Sequence, residues 1–113
     1  MTLRALIDEL VVAWTANDAY RASAFFAPDG VYHESGREAL RGRDAIFEAF
    51  CRFFRDGPPW RFAIDEVVAE GDCGAVAYRF SVKADGGDWQ ERAGCAFVRR
   101  RDGLIAYWRE YHG

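Results

Sequence analysis

Residues 57–83 read GPPWRFAIDEVVAEGDCGAVAYRFSVK, and a change of rhythm inside this stretch decides the fold. Gly57-Pro58-Pro59 cannot continue a helix, because proline lacks the amide donor and its ring collides with the preceding turn. Beyond it Trp60, Phe62 and Ile64 alternate with other residues and run into Val67-Val68, the period of a strand. Glu70-Gly71-Asp72 turns the chain, and Ala75 to Lys83 resumes the alternation. Asp85-Gly86-Gly87-Asp88 and Asp102-Gly103 are hairpin signals leading into Gln90 to Arg100 and Leu104 to Tyr111. The C-terminal half is therefore read as antiparallel strands.

Before Gly57 the period changes to that of helices. Leu3, Leu6, Ile7, Leu10, Val11 and Trp14 form one stripe at spacings of three and four, with Thr2 available as N-cap. Asn17-Asp18 interrupts it, and Asp18 caps a short second helix from Ala19 to Phe26 that Ala27-Pro28-Asp29-Gly30 stops. Val31 to Glu34 reads as a short strand, and Gly36 and Gly42 flank a loop. Asp44 opens a third helix with Ile46, Phe47, Phe50, Phe53 and Phe54 on its apolar face. The expected order is α-α-β-α-β-β-β-β, an α+β arrangement of a helical layer on an antiparallel sheet.

Composition bounds what such a chain does. Its 113 residues make 12.8 kDa, which fits a single domain over residues 1–113 and excludes a second independent core. A net charge of -3 and a pI near 5.3 argue against nucleic acid as a partner, since binding that polyanion needs clustered basic surface. Arg99-Arg100-Arg101 reads as a solvated turn. No apolar run reaches the roughly 18–20 residues of a membrane helix, and no signal peptide is evident. Cys51, Cys73 and Cys95 lie far apart with no CxxC pair, so we expect buried reduced thiols in a cytoplasmic protein and no metal.

The strand from Ala75 has two unlike faces. One carries Val76, Tyr78, Phe80 and Val82; the other carries Ala75, Ala77, Arg79, Ser81 and Lys83. If the helices cover the second, the aromatic stripe is left bare, and exposed contiguous apolar surface marks an interface. The expectation is a homodimer through the outer sheet face built on that stripe.

Four segments together resemble the NTF2-like superfamily, which includes SnoaL-like polyketide cyclases, ketosteroid isomerases and limonene-type epoxide hydrolases. They are Asn17-Asp18; Phe26-Ala27-Pro28-Asp29-Gly30-Val31-Tyr32; Leu40-Arg41-Gly42-Arg43-Asp44-Ala45-Ile46; and Arg101-Asp102-Gly103-Leu104-Ile105 leading to Trp108-Arg109-Glu110-Tyr111. The resemblance implies a cone: three helices packed in a strongly curved, mainly antiparallel sheet, with an apolar pocket at the wide end and frequent dimerisation through the sheet's outer face. It also implies a SnoaL-like protein acting, without a cofactor, on a small apolar oxygen-bearing ligand. Fold membership alone does not fix the chemistry.

The resemblance assigns positions. Limonene-type epoxide hydrolases use an Asp-Arg-Asp unit, and the matching positions here read Arg79-Phe80-Ser81 and Trp108-Arg109-Glu110, with Tyr32-His33-Glu34 where a tyrosine and an asparagine hold the attacking water. Ser81 cannot donate a proton as a carboxylic acid does. Against ketosteroid isomerases, Glu34 falls on the base position, Leu10 replaces a tyrosine donor, and no acid occupies the second donor position near Ala96 or Phe97.

Strand parity independently puts Tyr32 with Glu34, Arg79 with Ser81, and Trp108 with Glu110. If those faces are concave, Glu110 and Glu34 form an acid/base pair oriented by Arg79, and Tyr32, Ser81, Trp108 and Arg92 contact substrate. Two carboxylates sharing one arginine titrate apart, which suits proton transfer or water activation. The same residues equally describe a structural ion pair in a non-catalytic binding or dimerisation module. His33 and His112 are read as solvent or interface residues, and Trp14, Trp60 and Trp89 as core or pocket wall.

Overall fold

The structure, a computed structural model, describes residues 1–112. Its elements are α1 (Leu3–Thr15), α2 (Ala19–Ala24), β1 (Phe26–His33), β2 (Leu40–Arg41), α3 (Arg43–Asp56), β3 (Trp60–Glu70), β4 (Cys73–Lys83), β5 (Trp89–Arg101) and β6 (Leu104–His112). Thr2 caps α1 by accepting the Ala5 amide at 3.1 Å, and Asp18 caps α2 through the Arg21 amide at 3.0 Å. Between these helices Asn17 adopts φ 56°, a left-handed conformation that asparagine tolerates better than most residues. Arg43 fixes the start of α3 by donating to the Phe26 carbonyl from Nε (2.9 Å) and Nη2 (2.7 Å).

Two N-terminal boundaries differ from the sequence reading. α2 ends at Ala24, and residues read as its stop belong to an eight-residue β1 that is irregular between Phe26 and Val31. The Pro28-Asp29-Gly30 turn signal sits within this irregularity, so local propensity gives way to pairing with β6. Part of the expected loop is the two-residue strand β2, held against Val31 and Tyr32.

The six strands form one curved sheet in the order β2-β1-β6-β5-β4-β3. It is mixed, because β1 and β6 run parallel while the other neighbouring pairs run antiparallel. Arg61, Asp65 and Glu66, with a register shift between Ile64 and Glu66, keep the long edge strand β3 from offering a flat apolar edge. Inside the curl, Leu6, Ile7, Leu10 and Trp14 of α1 join Ile46 and Phe50 of α3 in a core with Val76, Ala96, Val98, Ile105 and Trp108. Each large aliphatic or aromatic side chain so buried contributes about 1.5–3 kcal/mol.

That core reverses one expectation. Val76 and Tyr78 are 0% and 2% exposed, and Phe80 and Val82 are half-buried on the same concave face. The stripe read as a dimer surface is the face the helices cover. Alternation fixes which residues share a face, not which face meets the helices. The convex face instead carries Ala75, Ala77, Arg79 and Ser81; beyond Ala77 the register runs to Cys95 and Tyr111, beyond Ala75 to Phe97 and Arg109, and Tyr107 pairs with Arg99. Cys95 is exposed, and Cys51 and Cys73 are half-buried, so the thiols are more open than expected. No helix is long and apolar enough to cross a membrane.

Candidate functional site

The wide end of the cone opens into a cavity of about 610 Å³. α1 and α3 supply Trp14, Phe50 and Phe54, while β3 and β4 supply Trp60, Phe62, Tyr78 and Phe80. The polar groups come from the strands on the other side: Tyr32, with Glu34 just past the end of β1, and Glu110 and His112 of β6. Register explains their meeting. Tyr32 pairs with Trp108 across the parallel β1–β6 ladder, and Glu110 and His112 follow Trp108 at period two.

Glu110 is 7% exposed and is held by neutral donors. Its Oε2 accepts from the Tyr32 hydroxyl at 3.1 Å and from Trp108 Nε1 at 3.0 Å. Its Oε1 faces His112 Nε2 at 3.8 Å. Burial pushes the carboxyl from its ordinary value of 4.5 up to about 7; the Trp108 hydrogen bond pulls the other way, nearby Glu34 adds to the rise, and the Tyr32 and Tyr78 hydroxyls oppose it. Burial, followed by the charge of Glu110, also raises the phenols of Tyr32 and Tyr78, which therefore stay protonated donors. At neutral pH the site holds a carboxyl able to gain or lose a proton, ringed by hydroxyls that do neither.

A second hydrogen bond shapes the same wall. Tyr78 Oη and His112 Nε2 lie 2.8 Å apart, although their strands are separated by β5. In register the row reads Tyr78, Gly94, His112, and the glycine leaves the gap through which the flanking side chains meet. A Cβ at position 94 would stand 2.6 Å from the Tyr78 hydroxyl and 2.7 Å from the His112 ring. With the proton on Nε2, His112 donates to Tyr78 and leaves the Tyr78 O–H free to point into the cavity.

The expected site residues are divided between two faces. Glu110, Glu34 and Tyr32 line the cavity, and Trp108 braces Glu110 from the core. Arg79 and Ser81 do not join them. Arg79 lies on the convex face, 47% exposed, 2.9 Å from Asp65 and 3.8 Å from Glu91. Ser81 is buried on that same face between its register partners Arg61 and Glu91. The reason is again parity: Phe80, between them, faces the cavity. Arg92, opposite Phe80 in register, is exposed and outside the cavity lining.

Sequence reading missed His112 and Tyr78. Both were legible in principle, since His112 shares the parity of Trp108 and Glu110, and Tyr78 gains a polar partner only once Gly94 is seen as a gap. Among the described residues no group of three His, Cys, Asp or Glu side chains is disposed to hold a metal ion.

Solved structures place this geometry among known proteins. An epoxide hydrolase from M. tuberculosis resembling limonene epoxide hydrolase superposes with TM-score 0.82 at 19% identity, covering 96% of this chain and 76% of that one. SalBIII, an epoxide hydrolase/cyclase-like enzyme of pyran ring formation in salinomycin, gives 0.84 at 15% identity, covering 97% and 89%. A protein of ketosteroid isomerase-like fold from Catenulispora acidiphila, solved with trimethylamine, gives 0.86 at 19% identity, covering 99% and 88%. At such identities the likeness establishes the NTF2-like α+β cone and not an activity. No curated protein shows significant sequence similarity to this chain. The SnoaL-like domain matches residues 7–108, stopping just short of Glu110 and His112, and with this match across most of its length the chain belongs to the SnoaL-like family.

Proposed function

We propose that this protein is a cofactor-independent enzyme, an isomerase, cyclase or hydrolase, that moves a proton on a small, apolar, oxygen-bearing substrate held in the aromatic cavity. The observation that carries this reading is Glu110: a buried carboxyl at the cavity wall, titrating near neutrality, where a general acid/base works best. Its Oε2 is engaged by Tyr32 and Trp108, which leaves Oε1 as the atom to exchange a proton. In the simplest step, Oε1 takes a proton from a carbon next to a carbonyl. The C–H electron pair becomes the enolate, and negative charge grows on the carbonyl oxygen. A Tyr78 hydroxyl released by His112 donates to that oxygen; returning the proton at another carbon completes an isomerisation. Glu34 acts here as the neighbouring charge that helps hold Glu110 protonated part of the time.

A second reading has its own support. Both hydrogen bonds to Glu110 come from core aromatics, as they would in a structural group of a non-catalytic ligand-binding module. Proton exchange separates the two. In deuterated buffer, NMR of apolar ketones, esters and epoxides with the wild type should reveal exchange or turnover that Glu110→Gln lowers at least about a hundredfold. Ligands that bind but exchange equally in both proteins would support the binding module.

The convex face supports a homodimer proposal on different residues from those first expected. Phe97, Tyr107 and the 53%-exposed Tyr111 lie there beside Ala77 and Cys95, with the Arg99 guanidinium over the Phe97 and Tyr107 rings and that of Arg109 over Tyr111, an aromatic surface edged by arginine. Three free thiols suit a reducing, cytoplasmic setting.

A further inference from the structure

The cavity holds an acidic centre with no cation to answer it. Glu110 is hydrogen-bonded only to neutral groups, and Glu34 adds a second carboxylate close enough to influence it. The arginine that strand parity had set between two carboxylates is outside, bound to Asp65 and Glu91. Among the described residues, neither Glu110 nor Glu34 forms an ion pair with arginine or lysine. Arg37 and Arg52 are exposed at the cavity's rim and form no ion pair with Glu110 or Glu34, with Glu38 beside them and Asp56 paired to Arg55 at 3.0 Å. Among the described residues, the basic side chain nearest Glu110 inside the cavity is the His112 imidazole, at 3.8 Å.

The rest of the wall is aromatic. Trp14, Phe50, Phe54, Trp60, Phe62 and Phe80 present rings to the space in front of these carboxyls. Ring faces attract cations, most strongly where water is displaced, and alkylated ammonium groups suit such walls because their charge is spread over apolar methyl surface. A neutral oxygen-bearing ligand gains from the rings and from a hydrogen bond to protonated Glu110, but leaves the ionised carboxylate unanswered. An anion would be repelled.

We propose that the cavity takes a ligand bearing a tertiary or quaternary ammonium group, seated between the aromatic rings and the Glu110–Glu34 pair, so that the ligand itself supplies the missing positive charge. This rests on the reading of the cavity as a ligand site, and not on turnover. The other charged or titratable groups facing Glu110 are Tyr32 from β1, Tyr78 from β4 and His112 from β6, with Arg37, Glu38, Arg52 and Asp56 at the rim. Tyr32 and Tyr78 stay neutral through the accessible range. A fixed cation therefore binds more tightly as pH rises from 6 to 8, because Glu110 ionises with its midpoint at about 7.

The test compares acetylcholine, used as a fixed-charge probe, with its neutral isostere 3,3-dimethylbutyl acetate by NMR titration of the intact protein at pH 6 and 8. The expected result at pH 8 is that the cation binds about tenfold more tightly, the size of a desolvated cation–ring and carboxylate contact. Its advantage should shrink at pH 6 and fall to within about twofold in Glu110→Gln. Gly94→Ala and Arg79→Met titrations supply a disturbed and an undisturbed control. Binding of the neutral ester as tightly as the cation, or cation binding that strengthens toward pH 6, overturns the proposal while leaving the cavity a ligand site. Failure of both probes to perturb cavity resonances overturns the proposal and counts against the underlying site as well.

Discussion

The Tyr78 hydroxyl and the His112 ring meet at 2.8 Å across a gap that exists because residue 94 has no side chain. Gly94→Ala should force one of them aside. Since the crowded atoms belong to a buried phenol and a half-buried imidazole, overpacking should cost about 1–3 kcal/mol. Urea denaturation would measure this loss, and the His112 ring resonances should shift because its phenol partner has moved. An alanine variant with unchanged His112 signals would contradict the packing described.

Glu110 makes stability depend on pH in a definite direction. Its folded value, about 7, lies above its ordinary 4.5, so the folded chain binds the proton more tightly than the unfolded chain. Both states are protonated well below 4.5, and the penalty then grows as pH rises through 7 before levelling off. In full it amounts to about 3 kcal/mol. Denaturation curves between pH 5 and 8 should show the wild type weakening toward pH 8. Glu110→Gln should flatten that slope and unfold at higher denaturant at pH 8, provided the amide keeps the Tyr32 and Trp108 contacts.

Arg79→Met should do little. The guanidinium is 47% exposed and its partners Asp65 and Glu91 are as open, so solvent screens the pair and its loss should be small. Thermal melts would register at most a few degrees, and binding in the cavity should be unchanged. A large drop in either would restore the arginine to the site.

The two sheet faces can be told apart by charge insertion. Tyr78→Glu with Phe80→Glu places carboxylates in the core and cavity wall and should unfold the protein. Phe97→Glu with Tyr111→Glu should leave circular dichroism intact and, if the convex face pairs two copies, halve the mass seen by light scattering from about twice 12.8 kDa. A folded wild type that scatters as a monomer at all micromolar concentrations would end the dimer proposal.

Much of the fold was legible because period and punctuation are local. Gly57-Pro58-Pro59 and the hairpin glycines mark their boundaries without help from distant residues. β1 and β2 were harder, since residues 26–30 and 40–41 become strands through pairing with β6 and with each other's neighbourhood. In the site, Tyr32, Glu34, Trp108 and Glu110 could be grouped because parity and family resemblance agreed. Arg79 could not be placed: a strand with Phe80 and Tyr78 on one side and Arg79 and Ser81 on the other has two equivalent orientations until helices are laid against it. His112 was passed over as a strand-end residue, although its spacing from Glu110 carried the information.

The position of β6 has a consequence for how the protein is made. This strand lies between β1 and β5, yet it is last in chain order, so a nascent chain reaching Arg101 has two strands waiting with unpaired edges for the same nine residues. Non-local pairing of this kind slows folding and leaves those edges open to other chains meanwhile. The segment that seals the sheet also brings Trp108, Glu110 and His112. Closure and acquisition of the acidic centre are therefore one event, and no partly folded form with an open sheet possesses the site.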